Sequence, residues 1–385
     1  MLERPPLSLY IHIPWCTRKC PYCDFNSHES NAPLPEKDYI NALYADFLNE
    51  YSKLPDQEIN LHSIFIGGGT PSLFTGESYY FLLQNIKKHL NFSKDIEITL
   101  EANPGSAEMA RFSAYRDAGI NRLSLGIQSF DNKNLEKLGR IHNKDQAISA
   151  IEMAKTAGFG NFNVDLMHGL PGQSPEYALK DLKTATELSP SHISWYQLTI
   201  EPNTLFFRYP PPLPNEDILL EIQKIGNMFL EENGYPQYEI SAFSTPSYTS
   251  AHNRNYWSFG DYIGIGAGAH GKLTLVNEKK ILRTRKSRQP NHYIETIKNK
   301  NIDSKEILVE DRALEFLMNA LRLKKGFSKT LFEHRTGLTF NNISNKIQNQ
   351  INKNLMQVTL INEEEIYSTT KTGYRFLNSV LEEFI

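Results

Sequence analysis

Short β-rich segments alternate with longer helical patterns through the first half of the chain. Such alternation is typical of βαβ units built around a parallel sheet. Six units can be read, fewer than the eight of a complete TIM barrel, so the sequence predicts an α/β fold, a partial (three-quarter) TIM-like (β/α)6 barrel. The predicted strands are 7–13, 62–67, 96–101, 122–128, 162–169 and 192–200, and the predicted helices are 38–52, 76–90, 106–118, 143–157 and 175–188.

Three polar residues lie at or near the carboxyl ends of these predicted strands: Glu101, Gln128 and Asp165. In β/α barrels this end of the sheet carries the active site. One such residue could simply cap a strand, but three in successive units favour a functional site.

The remainder of the chain predicts the end of the barrel and a second, smaller domain. The proline-rich segment 201–215 is expected to be a long loop, followed by a helix at 216–233, a strand at YEISAFS, and a loop at AHNRNYW, 251–257. We predict two domains, 1–300 and 301–385, the second a small helical, winged-helix-like domain with a β-hairpin. Its balanced charge favours packing against the barrel mouth over binding to DNA.

Composition excludes several classes of protein. Hydrophobic residues make up 40% and charged residues 22%, as in folded globular domains. The net charge of −3 gives no general footprint for nucleic acid, although 279–288 is a basic run that either is solvated or contacts an acidic ligand. The N-terminus lacks the features of a secretory signal, and no run of about 18 apolar residues predicts a membrane span.

The three cysteines lie together, at Cys16, Cys20 and Cys23, directly after the first predicted strand. None remains elsewhere for a disulfide framework, which indicates a reducing cytoplasm. Three thiolates on one loop can hold three corners of a cubane iron–sulfur cluster and leave the fourth iron open. The alternative is zinc with His12 or His28 as fourth ligand, but structural zinc usually pairs two separated ligand clusters.

A glycine-rich turn, Gly67-Gly68-Gly69-Thr70, follows the second predicted strand. Glycines let a backbone approach a ligand closely and present peptide groups to it. The turn is a weak signal by itself, because a tight strand-to-helix connection also needs glycine.

These motifs together resemble a known family. YIHIPWCTRKCPYCDF, GGGTPS, EANPG, RLSLGIQSF, LGRIH and DLMHGLPGQ are similar to the radical S-adenosylmethionine (SAM) family, in the branch that contains oxygen-independent coproporphyrinogen III dehydrogenases (HemN) and HemW haem chaperones. The resemblance covers nearly the whole chain. It implies a [4Fe-4S] cluster and SAM, whose one-electron cleavage yields an adenosyl radical.

The resemblance also assigns residues. It makes the three cysteines the cluster ligands and Gly68, Gly69 and Thr70 contacts of the methionine part of SAM. The other implied SAM contacts are Tyr10, Tyr22, Glu101, Gln128, Arg140 and Asp165. For each polar residue, a structural hydrogen bond within the barrel is the alternative.

Within the branch, three features favour the chaperones. The dehydrogenases resemble C-x3-C-x2-C-x-C, whereas Phe25 stands here at the position of the extra cysteine. They also carry an N-terminal arm, whereas this chain begins a few residues before its first strand. AHNRNYW is similar to the segment that HemW proteins use for haem, with His252 as axial ligand, aromatic rings to stack and an Arg for a propionate.

The resemblance therefore implies a haem chaperone that binds haem, a [4Fe-4S] cluster and SAM, and that passes haem to an acceptor haem protein of the respiratory chain. A lone loop histidine is often a packing residue, and His270 is a weaker candidate ligand. We expect a cytoplasmic protein that needs a reductant for the cluster, binds no nucleic acid and associates at most transiently with a membrane. The alternatives are a coproporphyrinogen III dehydrogenase of porphyrin biosynthesis and an enzyme that cleaves haem.

Overall fold

One twelve-stranded sheet forms the centre of the structure, a computed structural model that describes residues 1–30, 33–54, 59–297 and 303–385, without the side chains of 106 and 107. The strands are β1 Leu7–Ile13, β2 Trp15–Cys16, β3 His28–Glu29, β4 Asn60–Gly68, β5 Asn91–Ala102, β6 Arg122–Gln128, β7 Phe162–His168, β8 His192–Gln197, β9 Gln237–Glu239, β10 Ala242–Ser244, β11 Asp261–Ile265, β12 His270–Leu275, β13 Lys280–Arg285, β14 Asp303–Glu306, β15 Phe327–Ser328, β16 Met356–Ile361 and β17 Glu364–Thr369. The helices are α1 Glu36–Tyr51, α2 Gly76–Lys87, α3 Ser106–Met109, α4 Phe112–Asp117, α5 Asn132–Lys137, α6 Lys144–Thr156, α7 Pro175–Glu187, α8 Leu205–Arg208, α9 Glu216–Glu232, α10 Ala251–Trp257, α11 Pro290–Thr296, α12 Arg312–Ala320, α13 Lys329–Thr336, α14 Asn341–Asn352, α15 Lys371–Arg375 and α16 Leu377–Glu382, with a 3-10 turn at Pro71–Leu73.

The strand order confirms the predicted α/β fold. It runs β14-β13-β12-β11-β1-β4-β5-β6-β7-β8-β10-β9. The strands from β11 to β8 in that order pair in parallel, and the end strands are antiparallel. All six predicted strands are present, as β1, β4, β5, β6, β7 and β8. Helices of the βα units pack their apolar faces on this sheet and form one continuous hydrophobic core with it.

The predicted loop at AHNRNYW is wrong, because residues 251–257 form helix α10. Ser250 caps this helix with its side chain, which accepts a hydrogen bond from the Asn253 N–H. Glu97 of β5 adds a second cap, since its carboxylate accepts from the backbone N–H groups of Ala251 at 2.9 Å and His252 at 3.1 Å. The segment that resembles a haem-binding loop is therefore a short helix held by the sheet.

Three other segments differ in detail from the prediction. The helix expected at 106–118 is divided into α3 and α4. The strand expected at YEISAFS is two short strands, β9 and β10, and the loop at 201–215 contains α8. Local propensity finds such elements, but their ends depend on caps such as Thr204, whose hydroxyl accepts the N–H of Phe207 and starts α8.

The C-terminal part has its own hydrophobic cluster. It is built from α12, α13, α14, α16 and the sheet β15-β17-β16, and β16 with β17 forms the predicted hairpin. The cluster also takes in Leu2, Phe259 and Ile281, which lie outside the C-terminal part. The predicted boundary at 300/301 lies outside the described residues, and β14, just beyond it, still pairs with β13 of the large sheet.

The basic run 279–288 is largely β13. Lys286 is buried, 2.8 Å from Asp46 and also paired with Glu50, so a solvated surface is the wrong interpretation for this cation. Arg285 is exposed and pairs with Asp303 at 2.6 Å. None of the described helices is both long enough and apolar enough to cross a membrane.

Candidate functional site

A cavity of about 500 Å³ opens at the carboxyl ends of the parallel strands, within the size range of ligand pockets. It brings together residues that are far apart in the sequence. The predicted residues that line it are Cys16, Cys20, Tyr22, Cys23, Gly68, Gly69, Thr70, Glu101, Gln128, Arg140 and Asp165. Two predicted residues, Tyr10 and His252, lie outside this lining.

The cysteine loop is closed by a short ladder between β2 and β3, in which Cys16 pairs with Glu29. All three thiols are free, and the Cys23 N–H donates to the Cys20 carbonyl at 3.1 Å. Asn26 fastens the loop to the far end of the domain, because its amide donates to the carbonyls of Ala267 and Arg288, each at 2.9 Å. The three thiols therefore face one cavity from one anchored loop.

The donor set suits a cubane cluster better than a zinc ion. All three donors of the loop are thiols, and in a cubane each thiolate binds a different iron. His12 is not available as a zinc ligand: Nδ1 is bonded to the Tyr10 hydroxyl at 2.9 Å and Nε2 to the Asn26 carbonyl at 2.9 Å. Burial raises the pKa of the Cys16 thiol to about 11, so a bound metal is needed to hold it as thiolate.

The glycine turn packs directly on the cysteine loop. A Cβ on Gly69 would lie 2.5 Å from the Trp15 carbonyl oxygen and 3.0 Å from the Cys16 Sγ. Gly68 has a φ of +118°, which side-chain-bearing residues rarely adopt. Glycine is therefore required at both positions for the turn to reach the loop.

Two carboxyl groups face each other across the cavity wall. Glu101 Oε2 accepts the Gly68 N–H at 3.0 Å, and burial together with the charge of Asp165 raises the pKa of Glu101 to about 8. Asp165 accepts hydrogen bonds from Ser124 at 3.0 Å and Asn163 at 2.9 Å, and its pKa is also raised by burial. This pair would favour a cationic ligand, whose charge would lower both pKa values.

Arg140 connects three parts of the site. It donates to Asn103 Oδ1 at 2.5 Å and to the Gly126 carbonyl at 2.7 Å, and its Nη1 lies 3.5 Å from Cys20 Sγ. Gln128, at the bulged end of β6, has a φ of +69° and accepts a hydrogen bond from the Tyr196 hydroxyl at 2.8 Å. Both side chains are thus fixed at the cavity wall.

The two predicted tyrosines have different positions. Tyr22 lines the cavity, and burial raises the pKa of its phenol. Tyr10 lies behind the lining, with its ring stacked on Phe65 at 6.4 Å. Its hydroxyl is already bonded to His12.

His252 is buried in α10, with 3% of its surface exposed. Nδ1 is bonded to the Ser63 hydroxyl at 3.0 Å, whereas Nε2 has no hydrogen-bond partner within the described part of the chain. The ring lies between Phe65 and Tyr256, and burial lowers its pKa to about 3, so the imidazole is neutral. His270, the weaker candidate, is exposed at the start of β12.

Several cavity residues were not found by sequence reasoning. Asn103 belongs to the EANPG motif, which did signal the site. Ser124, Asn253 and Trp257 belong to the RLSLGIQSF and AHNRNYW segments, which also carry a signal, whereas Tyr196, Glu239 and Arg322 give no local signal. Additional cavity-lining residues are Ser124, Tyr196, Glu239, Asn253, Trp257 and Arg322.

Comparison with known families gives two matches. Residues 10–185 match the radical SAM superfamily, and residues 307–376 match the HemN C-terminal domain. The first range contains the cysteine loop and the parallel strands up to β7, and the second contains most of the C-terminal cluster.

Individual relatives match along the whole chain. The chain is 49% identical to a protein named heme chaperone HemW from Haemophilus influenzae, covering 100% of this chain and 99% of that one. It is 46% identical to HemW from Escherichia coli, with 100% of both covered, and 35% identical to HemW from Bacillus subtilis, with 98% and 99% covered. The solved structure of the radical SAM enzyme coproporphyrinogen III oxidase (HemN) from Escherichia coli shares the fold, with a TM-score of 0.81, 20% identity, and 99% and 90% covered.

Proposed function

The chain belongs to the radical SAM superfamily, among the HemW haem chaperones, and we propose that it binds haem and transfers it to an acceptor haem protein. The observation that carries the proposal is the full-length likeness to relatives that bear the chaperone name. The cavity supports it as well. Phe25, at the position of the dehydrogenases' extra cysteine, lines the cavity and is 59% exposed.

For the cluster, we propose Cys16, Cys20 and Cys23 as ligands. A bound [4Fe-4S] cluster would supply one electron and an open coordination position at the cavity. The chain's own contribution is to hold three thiols on one anchored loop and to place Nη1 of Arg140 3.5 Å from Cys20 Sγ.

For SAM, we propose the cavity wall between the glycine turn and β7. Gly68, Gly69 and Thr70 line the cavity beside the cysteine loop, and the N–H groups of the two glycines are already bonded to Glu101 and to the Ile13 carbonyl. Glu101 and Asp165 offer carboxylates for an ammonium or for ribose hydroxyls. Arg140, Gln128 and Tyr22 complete the wall, and Tyr10 supports it from behind.

For haem, we propose His252 as the axial ligand. When Nδ1 donates its proton to Ser63, Nε2 keeps the lone pair that binds iron, so the buried contact fixes the tautomer that a ligand needs. Because Nε2 lies outside the cavity lining, ligation requires α10 to shift or the ring to turn. Asn253 and Trp257 of the same helix already line the cavity.

The remaining proposals concern the setting. The acceptor would be a haem protein of the respiratory chain, approached by a cytoplasmic chaperone that contacts the membrane transiently. A cellular reductant would reduce the cluster. We propose no nucleic-acid partner, in keeping with the net charge of −3.

The test is an anaerobic assay of the reconstituted full chain, with haem binding and decarboxylation of coproporphyrinogen III followed in parallel. We expect stoichiometric haem binding without decarboxylation. The variant His252→Ala should change the Soret spectrum and weaken binding, whereas His62→Ala, at an exposed histidine, should not. Turnover of coproporphyrinogen would instead identify a biosynthetic dehydrogenase.

A further inference from the structure

Arg322 reaches the cavity from the C-terminal part of the chain, just after α12. Its guanidinium carbon lies 4.2 Å from the centre of the Trp257 ring, which α10 contributes, and both side chains line the cavity. A guanidinium stacked on an indole has its plane fixed, while its N–H groups point outward along the edge. Two separate elements therefore place one oriented cation at the cavity wall.

Two hydrogen-bond donors of this pair have no acceptor in the described part of the chain. A guanidinium carries five N–H donors, and the one contact of Arg322 with a carboxylate in the described chain is Nη2 to Glu239 Oε2, at a long 3.5 Å. The Nε of Arg322 and the Nε1 of Trp257 are buried without any hydrogen-bond partner in the described segments. Buried donors in native proteins are normally satisfied by protein, water or ligand.

Arg140 and Arg254, two other arginines near the site, already have hydrogen-bond partners. Arg140 is engaged by Asn103, Gly126 and Cys20. Arg254, the cation of the AHNRNYW segment, is exposed, donates to Thr249 and does not line the cavity. The cation beside Trp257 is thus supplied by Arg322 and not by the motif itself.

We infer that Arg322 and Trp257 form a carboxylate-binding subsite in the cavity, and that its ligand is a propionate of the tetrapyrrole. This inference rests on the proposed function. A guanidinium fork matches a carboxylate in bidentate geometry, and the indole N–H supplies a further donor. An incoming carboxylate would replace Glu239 as the partner of Arg322 Nη2. Glu239 would keep a hydrogen bond, because its Oε1 accepts the Ser241 N–H at 3.0 Å.

The experiment titrates the reconstituted full chain with haem and, separately, with haem dimethyl ester, whose propionates are uncharged. Absorbance in the Soret region gives both affinities. We expect the wild type to bind haem about tenfold or more tightly than the dimethyl ester. This ratio corresponds to the free energy of one charge-assisted hydrogen bond. Arg322→Gln should reduce this preference to about twofold or less while leaving the affinity for the ester nearly unchanged.

Two further variants refine the test. Trp257→Phe keeps a ring under the guanidinium but removes the indole N–H. The preference for haem over its ester should therefore decrease, but by less than in Arg322→Gln. Arg375→Gln removes a cation of the C-terminal part that does not line the cavity, and it should leave the preference at its wild-type value. Iron and sulfide content, together with the melting temperature, establish that each variant is folded.

Three outcomes would overturn the inference. Equal wild-type affinity for haem and its ester would mean that no carboxylate is recognised, although haem binding itself would stand. Equal losses of both affinities in Arg322→Gln would indicate a structural role. A loss of SAM affinity in that variant, with the haem preference retained, would assign the carboxylate to SAM. If the wild type bound neither haem nor its ester, the proposed haem-binding function would be wrong, and this inference with it.

Discussion

At the scale of single residues, the cavity collects carboxyl groups that are difficult to ionise. Glu101, Asp165 and Glu239 all have raised pKa values, in each case because burial removes water from the carboxylate. Neutral carboxyls reduce the repulsion that an anionic ligand would meet. A cationic ligand at Glu101 and Asp165 would lower the pKa of both carboxyl groups and so favour the release of a proton from the pair.

The raised pKa of Glu101 predicts a pH dependence of stability. The folded chain keeps a proton on Glu101 up to about pH 8, whereas the unfolded chain releases it near the ordinary value of 4.5. Stability from this group is therefore full below pH 4.5 and is lost as the pH rises toward 8. Glu101→Gln cannot ionise, so its free energy of unfolding relative to the wild type should increase between pH 5 and 8, measured by urea denaturation without SAM. If the difference in free energy of unfolding between Glu101→Gln and the wild type stayed constant from pH 5 to 8, the pKa of Glu101 would not be raised.

The cysteine loop gives a second prediction at this scale. Cys20→Ser, purified without air and reconstituted, should lose most of its iron and sulfide, because serine replaces one of three ligands. Thr17→Ala, at an exposed position of the same loop, should retain both. Full iron and sulfide in Cys20→Ser would show that Cys20 is not a cluster ligand.

Asp165, which was singled out by its residue type and its place in a predicted strand, lines the cavity, and its role as a SAM contact stays a prediction. Arg322 could not be predicted, because only the packing of α12 beside α10 brings it to Trp257. The burial of His252 could not be predicted either. It depends on Ser63 and Phe65 of β4, which lie far from it in the sequence.

At the scale of elements, α10 shows why a helix was predicted as a loop. Its seven residues carry no amphipathic pattern, and its second cap is the Glu97 carboxylate, 154 positions away from Ala251. Glu97 accepts hydrogen bonds from Ser250 Oγ and two backbone N–H groups, and lies 3.9 Å from Arg122. The helix therefore depends on the sheet for its start.

Glu97→Gln should weaken this start. Loss of the charge from buried hydrogen bonds at a helix N-terminus is expected to cost about 1–3 kcal/mol of unfolding free energy. Haem affinity should fall with it, because α10 carries His252 and Trp257. The matched control Glu278→Gln breaks an exposed ion pair with Lys280 and should change stability by less than about 1 kcal/mol. Unaltered stability and haem affinity in Glu97→Gln would contradict the role of this cap.

At the scale of the whole molecule, the two hydrophobic clusters interlock. Phe316 of α12 is fully buried and packs edge-on against Phe259, which lies between α10 and β11, as well as against Phe327 and Phe332. Arg283 of β13 pairs with Glu315 at 2.5 Å. The sequence pattern predicted six of the parallel strands but not β11. The partners in this interlocking could not be predicted either, since apolar residues in a sequence do not identify their partners.

Phe316→Ala should destabilise both clusters together. Removing a buried phenylalanine costs about 3–5 kcal/mol, and the loss should appear in the barrel as well as in the C-terminal part. Phe376→Ala, at a side chain that is 50% exposed, should cost much less. Hydrogen exchange of both parts measures the effect. Faster exchange confined to the C-terminal helices would show that the clusters unfold independently.

The anchoring of the cysteine loop also sets an order of events during biosynthesis. β1 needs β11 as a neighbour, and Asn26 needs the carbonyls of Ala267 and Arg288, all of which leave the ribosome long after the cysteines. Until β11, Ala267 and Arg288 have been synthesised, the cysteine loop lacks these contacts that hold it in place. If the proposed cluster is bound by this loop, we expect its delivery to follow the synthesis of most of the chain, and a nascent chain stalled before β11 would display three unprotected thiols.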